Sequence, residues 1–308
     1  MVAGRAADDP EPVTSRDLDQ ELARRDALAV AALLAAGSPC TSESRVRIGT
    51  VLLRGWSADA EVRDVLRPVF AAAVPDQRAL IALGDIDTWL RHGRIARGWW
   101  VQAAAGPDPE LAALGAWRAA RADLRGRRVD DALPLLEQAA AAGIAGAALA
   151  LGRIIEEHGD DEPAAALFRR SGTPEGMLRL AEIRLRAEDP DGAQEELARF
   201  RPPPFVPGTL DLQAWGDGVC GEIAFRRGDL EVAEDRFWRA RHAPGDRGRL
   251  AELRLAQIAI ACGDASTAFS RASMLAAGTD AAATHARLLM DLHPDLMAEG
   301  ARLLEQEE

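Results

Sequence analysis

Two small residues set twelve positions apart constrain this chain more than any other feature. The spacing is clearest in the stretch 221–244, GEIAFRRGDLEVAEDRFWRARHAP, where two helical patterns meet at Gly228-Asp229. Gly221 and Ala233 form the pair. Phe237 follows four places later, Ala240 three after that, and Pro244 closes the unit. Two antiparallel helices approach most closely where their Cβ atoms are small, and larger residues beside the contact fill the space to the next pair. One such hairpin cannot bury its apolar face alone, so the pattern calls for stacked neighbours.

Those neighbours can be followed along the chain. Gly84 pairs with Ala96, followed by Trp100 and Ala103. Ala120 pairs with Ala132, then Leu136 and Ala139. Gly152 pairs with Ala164, then Phe168. Ala181 pairs with Ala193, then Leu197 and Phe200. Ala256 pairs with Ala268, then Ala272 and Leu275, and Ala286 pairs with Ala298. Gly49 opens a weaker copy, its second small position spoiled by Glu61. Six intervals separate Ala96 from Ala298, a mean period of about 34 residues. Turn signals fall between the helical patterns at Gly159-Asp160, Asp189–Gly192, Gly228-Asp229 and Gly263-Asp264. Pairs kept in phase, with turns between them, argue against an accident of alanine richness.

The repeated unit resembles a tetratricopeptide repeat, which has small residues at its eighth and twentieth positions, an aromatic at the twenty-fourth and alanine at the twenty-seventh. The resemblance runs over roughly residues 44–305. It implies an all-α fold: a right-handed α-solenoid of stacked antiparallel helix hairpins, with capping helices at the N- and C-terminal ends. The expected organisation is a disordered acidic tail at 1–16, a capping helix and linker at 17–43, and the repeat array at 44–308.

The ends follow from local pattern. Residues 1–16 are rich in Asp, Glu, Pro and Gly without hydrophobic periodicity. Asp17–Ala36 reads as a helix with Leu18, Leu22, Ala29, Leu33 and Leu34 on its inner side, stopped by Gly37-Ser38-Pro39. Arg24-Arg25 before an apolar run ending in Ser38-Pro39-Cys40 has the outline of an export signal. The acidic segment upstream, Asp26, and Pro39 before Cys40 favour a buried helix instead. The run is also too short to span a membrane. Arg302, standing where Phe237 stands in the best copy, suits the outer face of a terminal helix. The segment 201–208, RPPPFVPG, cannot be helical and reads as a long inter-repeat loop, or as a hinge or docking segment.

Composition narrows function. The formal net charge of −12 over 308 residues argues against general nucleic-acid binding, which needs a basic face. Every basic residue other than histidine is Arg, and Lys, Asn and Tyr are absent. A coding bias, as in a GC-rich bacterial genome, explains this most simply. Any bound carboxylate is then held by Arg or by backbone. Cys40, Cys220 and Cys262 are odd in number and widely spaced, so they read as reduced small core residues rather than disulfides or zinc ligands.

Chemistry-bearing motifs are sparse. His158-Gly-Asp-Asp-Glu162 falls on a hairpin turn, where Gly and Asp serve turn geometry and capping. His92, His242, His285 and His293 stand singly. There is no nucleophile elbow, phosphate-binding glycine loop or HExxH. No cofactor and no catalytic residue is expected.

The resemblance points to a groove. In the tetratricopeptide family the first helix of each repeat lines a concave face, chiefly by residues one and five places after the first small position. Here these are Asp85 and Trp89, Arg121 and Arg125, Arg153 and Glu157, Glu182 and Arg186, Glu222 and Arg226. Arg118, Arg121, Arg125 and Arg128 also follow helical spacing beside Trp117. Trp89, Trp117, Arg118, Arg121, Arg125, Arg153, Arg186 and Arg226 are therefore the candidate partner-binding residues. Arg grips carboxylates bidentately and stacks on aromatics, which suits an acidic peptide. The competing reading is a solvated charged face neutralised by Asp123, Asp130 or Glu157. The family's chaperone-binding members hold a C-terminal carboxylate with Lys and Asn, and this chain has neither.

The expected function is a non-enzymatic, cytoplasmic scaffold holding a partner protein or acidic peptide, with no nucleic acid or membrane partner. A sensor module binding a small ligand or signalling peptide is the alternative, and an enzyme on a helical solenoid a third reading.

Overall fold

The computed structural model describes residues 15–37, 41–201, 209–243 and 245–307. The expectations placed on residues 1–14, Cys40, the proline run 202–208 and Pro244 lie outside them. Among the described residues there are seventeen α-helices and no strand. The chain divides into two compact units, Met1–Ala147 and Ala148–Glu308. No described helix is long and apolar enough to cross a membrane.

Unit 1 contains α1 (Ser15–Ala35), α2 (Ser42–Gly55), α3 (Ala60–Ala71), α4 (Gln77–Trp89), α5 (Gly93–Ala104), α6 (Pro109–Arg125) and α7 (Val129–Ala141). Helix α8 (Ala145–Glu157) contains the division. Unit 2 continues with α9 (Asp161–Ser171), α10 (Pro174–Arg186), α11 (Pro190–Ala198), α12 (Thr209–Arg226) and α13 (Leu230–Ala240). It ends with α14 (Asp246–Cys262), α15 (Ala265–Ala276), α16 (Ala281–Leu292) and α17 (Pro294–Glu307). Within each unit, successive helices pack as antiparallel hairpins that stack on the next, an all-α solenoid arrangement.

The hairpins are tetratricopeptide-like in their packing. Ala96, Ala132, Ala164, Ala193, Ala233 and Ala268, the second small residue of each pair, have no exposed surface. The first small residue makes room for a ring. A Cβ on Gly152 would lie 2.7 Å from the Phe168 ring, and one on Gly221 would lie 2.9 Å from Phe237. Gly84 sits equally close under the Trp100 indole. Where the residue opposite is Leu136, Leu197 or Ala272, the same position carries Ala120, Ala181 or Ala256. Gly therefore goes with an aromatic partner and Ala with an aliphatic one, as close packing requires.

The turns repeat as well. Gly159, Gly228 and Gly263 take positive φ, and Arg91, Arg127 and Glu188 hold the same left-handed place in other hairpins. In each, the next residue's N–H donates to a carbonyl five places back: His92 to Asp87 (2.8 Å), Arg128 to Asp123 (2.9 Å), Asp189 to Arg184 (2.9 Å), Asp229 to Ala224 (3.0 Å) and Asp264 to Ala259 (2.9 Å). This closes the first helix and starts the second. The Arg91 and Arg127 turns carried no turn signal because Arg rarely adopts this conformation, whereas Asp189–Gly192 marked the turn at Glu188.

Four sequence expectations need correction. In the weak first copy, Gly49 faces Phe70, with a Cβ there lying 3.1 Å from the ring. The longer α2–α3 connection shifts the register, and Glu61 is an exposed partner of Arg24 rather than a packing position. At the C-terminus, Ala298 is exposed and does not pair with Ala286. Helix α17 packs on α15, with Gly300 against the Ala265 carbonyl and Phe269, while Ala286 is buried with Leu253 and Leu275. Arg302 is exposed. On α1 the buried residues are Ala27, Ala31 and Leu34, whereas Leu22 and Leu33 face outward. Arg24 sets that orientation by reaching Asp59 and Glu61 at the start of α3. Cys262, expected in the core, is exposed as the last residue of α14, and Cys220 is half-buried.

Candidate partner-binding site

Unit 1 holds a cleft of about 710 Å³ along the first helices of its hairpins. From α2 it takes Arg47, Thr50, Val51, Leu53 and Arg54. From α4 it takes Arg78, Ile81, Ala82, Asp85, Thr88 and Trp89. From α6 it takes Leu111, Leu114, Arg118, Arg121 and Arg125, while Trp100 closes the floor. Every third or fourth residue of these helices faces one side, so charged heads line the rim over an apolar base.

Six of these lining residues are Arg and only one, Asp85, is a carboxylate. Asp85 accepts a hydrogen bond from Arg118. Arg47 lies 4.0 Å from Glu43 on its own helix. Arg121 stacks on Trp117, its guanidinium carbon 5.5 Å from the ring centre. Arg125 donates to the Arg121 carbonyl at 3.3 Å. Among the described residues, Arg78, Arg121 and Arg125 form no ion pair, and Arg54 acts on Asp85 without a close ion pair. Trp89 is 52% exposed at the cleft wall. Behind it lies Arg63, itself buried, with its guanidinium carbon 5.3 Å from the Trp89 ring centre and Nη1 donating to the Ser57 carbonyl at 2.6 Å.

Asp123, one of the carboxylates expected to neutralise this face, is engaged elsewhere. Asp123 is fully buried, accepts two bonds from Arg97 Nε (2.7 and 2.9 Å) and one from Arg128 Nε (2.9 Å). Arg128 is thus tied to the hairpin turn rather than to the stripe of Arg118, Arg121 and Arg125. Asp87, also fully buried, accepts from Trp99 Nε1 at 2.8 Å and Arg67 at 3.3 Å. These aspartates are structural anchors, two residues before the helix end.

Unit 2 has a smaller cleft of about 390 Å³ between α10, α12 and α14. Its Arg residues are taken. Glu222 accepts from Arg226 Nε (2.9 Å) and from Arg254 through two nitrogens (2.8 and 2.9 Å). Arg226 also donates to the Leu185 carbonyl (2.6 Å) and to Glu188 (2.9 Å). Arg186 holds Asp161 (2.7 Å) and Glu156 (2.9 Å). Its hydrogen bond keeps the Asp161 carboxyl below the usual range. Arg247 lies over the Trp215 ring at 3.6 Å, while Trp215 Nε1 donates to Glu182 at 2.6 Å. Burial raises the Glu182 carboxyl, against the hydrogen bond from Trp215 and the charge of Arg247.

The candidate residues therefore part company. Trp89, Arg118, Arg121 and Arg125 line the unit 1 cleft, and Arg186 and Arg226 line that of unit 2. Trp117 lines neither; its ring packs where a side chain at Gly146 would stand. Arg153 lines neither and lies 3.8 Å from Glu175. Arg47, Arg54 and Arg78 were not singled out in the sequence, and applying the same rule to Gly49 points to Thr50 and Arg54. His158 stays at its turn, with Nδ1 2.6 Å from the Ile154 carbonyl. Among the described residues no three His, Cys, Asp or Glu side chains are placed to hold a metal ion.

No protein-family model matches the chain, and no curated protein matches it. Solved structures similar to it include the APC/C hetero-tetramer Cut9–Hcn1, at 15% identity over 93% of this chain and TM-score 0.44. This chain spans only 56% of that one. Yeast Tom70 is similar at 12% identity over 95% of this chain and 78% of its own, TM-score 0.39. The P58(IPK) TPR domain is similar at 12% identity over 92% and 99%, TM-score 0.26.

Proposed function

We propose that this tetratricopeptide-like chain is a protein-interaction scaffold whose unit 1 cleft holds an acidic segment of a partner protein. The observation that carries the reading is the imbalance of that cleft: among the described residues Arg54, Arg78, Arg121 and Arg125 form no close ion pair, and Asp85 is the one carboxylate on a lining with six arginines. Like charges held together destabilise a fold unless something compensates them. An acidic segment would supply the missing carboxylates, and each guanidinium can take one in two parallel bonds. The apolar base, with Val51, Ile81, Leu111 and Leu114 between the charges, would accept uncharged side chains of the same segment. Rim arginines act mainly on association rate and salt dependence, so capture should weaken as salt rises.

The test is affinity capture from the native organism with the natural protein and an Arg121→Ala, Arg125→Ala double variant. A partner held by the first and lost by the second, and displaced by a synthetic acidic peptide, is the expected result. The same partners retained by both would move binding away from this cleft.

A further inference from the structure

Asp85 is the one carboxylate on the unit 1 cleft lining, and it occupies the middle of α4. Arginines of α2, α4 and α6 share the lining with it. Arg118, from α6, donates to it, and Arg54, from α2, acts on it across the cleft. Trp100, on α5, donates its Nε1–H to the Ile81 carbonyl at 3.3 Å and lowers the Asp85 carboxyl from nearby. Arg121, Arg125, Arg47 and Arg78 share the lining. Helix α3, also packed on α4, gives its Arg67 to Asp87 instead. No histidine lines the cleft. Arg118 Nε is buried without any hydrogen-bond partner, although another nitrogen of the same guanidinium holds Asp85. A buried donor left unmade is costly, so Asp85 leaves the Arg118 guanidinium incompletely satisfied.

We infer that Arg118, with Arg54 opposite, is the primary anion subsite of the cleft, and that Asp85 holds the place of a ligand carboxylate until one arrives. This rests on the reading of the cleft as an acid-binding site and says which cation takes the acid first. Burial pushes the Asp85 carboxyl up to about 6, against the opposing influence of Arg118, Trp100 and Arg54. Above that pH the ionised side chain competes for Arg118. As pH falls through it, Asp85 becomes neutral and Arg118 is released. Ligand carboxylates, titrating near 4, stay charged over the same interval. Binding of an acidic ligand therefore tightens on mild acidification.

The experiment measures fluorescence anisotropy of a labelled peptide of alternating Asp and Leu with a free C-terminal carboxylate. The proteins are the natural chain, Asp85→Asn, Arg118→Ala, and Arg121→Ala with Arg125→Ala. At about pH 8, Asp85→Asn is expected to bind about tenfold tighter than the natural chain, and the two converge near pH 5. Arg118→Ala loses both the tight binding and its pH dependence. The pH profile of the natural chain needs no variant to fold. Equal or weaker binding by Asp85→Asn, or a flat profile in the natural chain, overturns the inference. If the peptide still depends on Arg121 and Arg125, the acid-binding cleft survives that result. A peptide that ignores those arginines as well, or binds none of the proteins, overturns both.

Discussion

The two clefts use the same residue types on equivalent helices and reach opposite electrostatic states. In unit 2, Arg226 and Arg254 close on Glu222, and Arg186 closes on Asp161 and Glu156. In unit 1, Asp87 and Asp123, two other carboxylates of the first helices, are buried in the hairpins and held by Arg67, Arg97 and Arg128. The arginines on the cleft side are left with Asp85 alone. The lesson is that the number of arginines on a face says little; what matters is where the acids of the same helices turn. A neutralised cleft is a structural network, and an unneutralised one is poised for a ligand.

The largest effect that could break this comparison is on binding. Replacing Arg54, Arg121 and Arg125 together by Ala should weaken an acidic peptide by about a hundredfold, since charge-assisted bonds are worth about 1.5–3 kcal/mol each and are not additive. Replacing Arg186, Arg226 and Arg254 should change the same affinity by less than about twofold, the range expected of residues that touch no ligand. Titration calorimetry at low salt reads both.

Stability should respond the other way round. Glu222→Gln leaves two guanidinium groups of unit 2 short of their acceptor and should lower stability by about 2 kcal/mol. Asp85→Asn should not lower it, and near neutral pH should raise it, because the ionised carboxylate opposes folding there. Urea unfolding followed by Trp fluorescence compares them.

The pH dependence sharpens the contrast further. Arg186 holds the Asp161 carboxyl below its ordinary value. That contribution is present above the unfolded pKa and is lost as pH falls below about 4. Asp85 has the opposite sign. Its folded value, about 6, lies above the unfolded one, so its ionisation opposes folding increasingly as pH rises between about 4 and that value. Urea midpoints from acid to neutral pH should show the second slope in the natural chain and not in Asp85→Asn.

The smallest effect concerns the turns. Unit 1 places Arg91 and Arg127 at positive φ, where unit 2 mostly uses glycine. Arg91→Gly or Arg127→Gly should raise stability by about 0.5–1 kcal/mol, while Gly228→Ala should lower it by a similar amount. Differential scanning calorimetry would resolve shifts of a few degrees.

The sequence made the hairpins legible because close helix contact tolerates only Gly or Ala. Ala96, Ala132, Ala233 and Ala268 could therefore be read without a structure. It was less informative where the chain met the same need with other residues. Arg91 and Arg127 form turns that glycine usually marks, and Phe70 fills the place opposite Gly49 from a shifted register. Near the C-terminus, twelve-residue spacing joined Ala286 to Ala298, although α17 folds back on α15. Spacing records local geometry, not which neighbour a terminal helix chooses. For the cleft, the groove positions that the tetratricopeptide resemblance implies were Asp85, Trp89, Arg121 and Arg125, and these share the cleft lining. The resemblance could not tell which arginines keep a partner, because Arg97 and Arg128 reach Asp123 from the next helix and from the turn. That distinction depends on tertiary packing.

The most direct measurement places a photo-crosslinking residue at Val51, on the wall of the unit 1 cleft, or at Leu250, on the wall of the unit 2 cleft. Each protein is irradiated with the acidic peptide and mapped by mass spectrometry. Crosslinking at Val51 that disappears with Arg121→Ala and Arg125→Ala, and none at Leu250, is the result the account predicts. Crosslinking at Leu250, or at Val51 irrespective of those arginines, would contradict it.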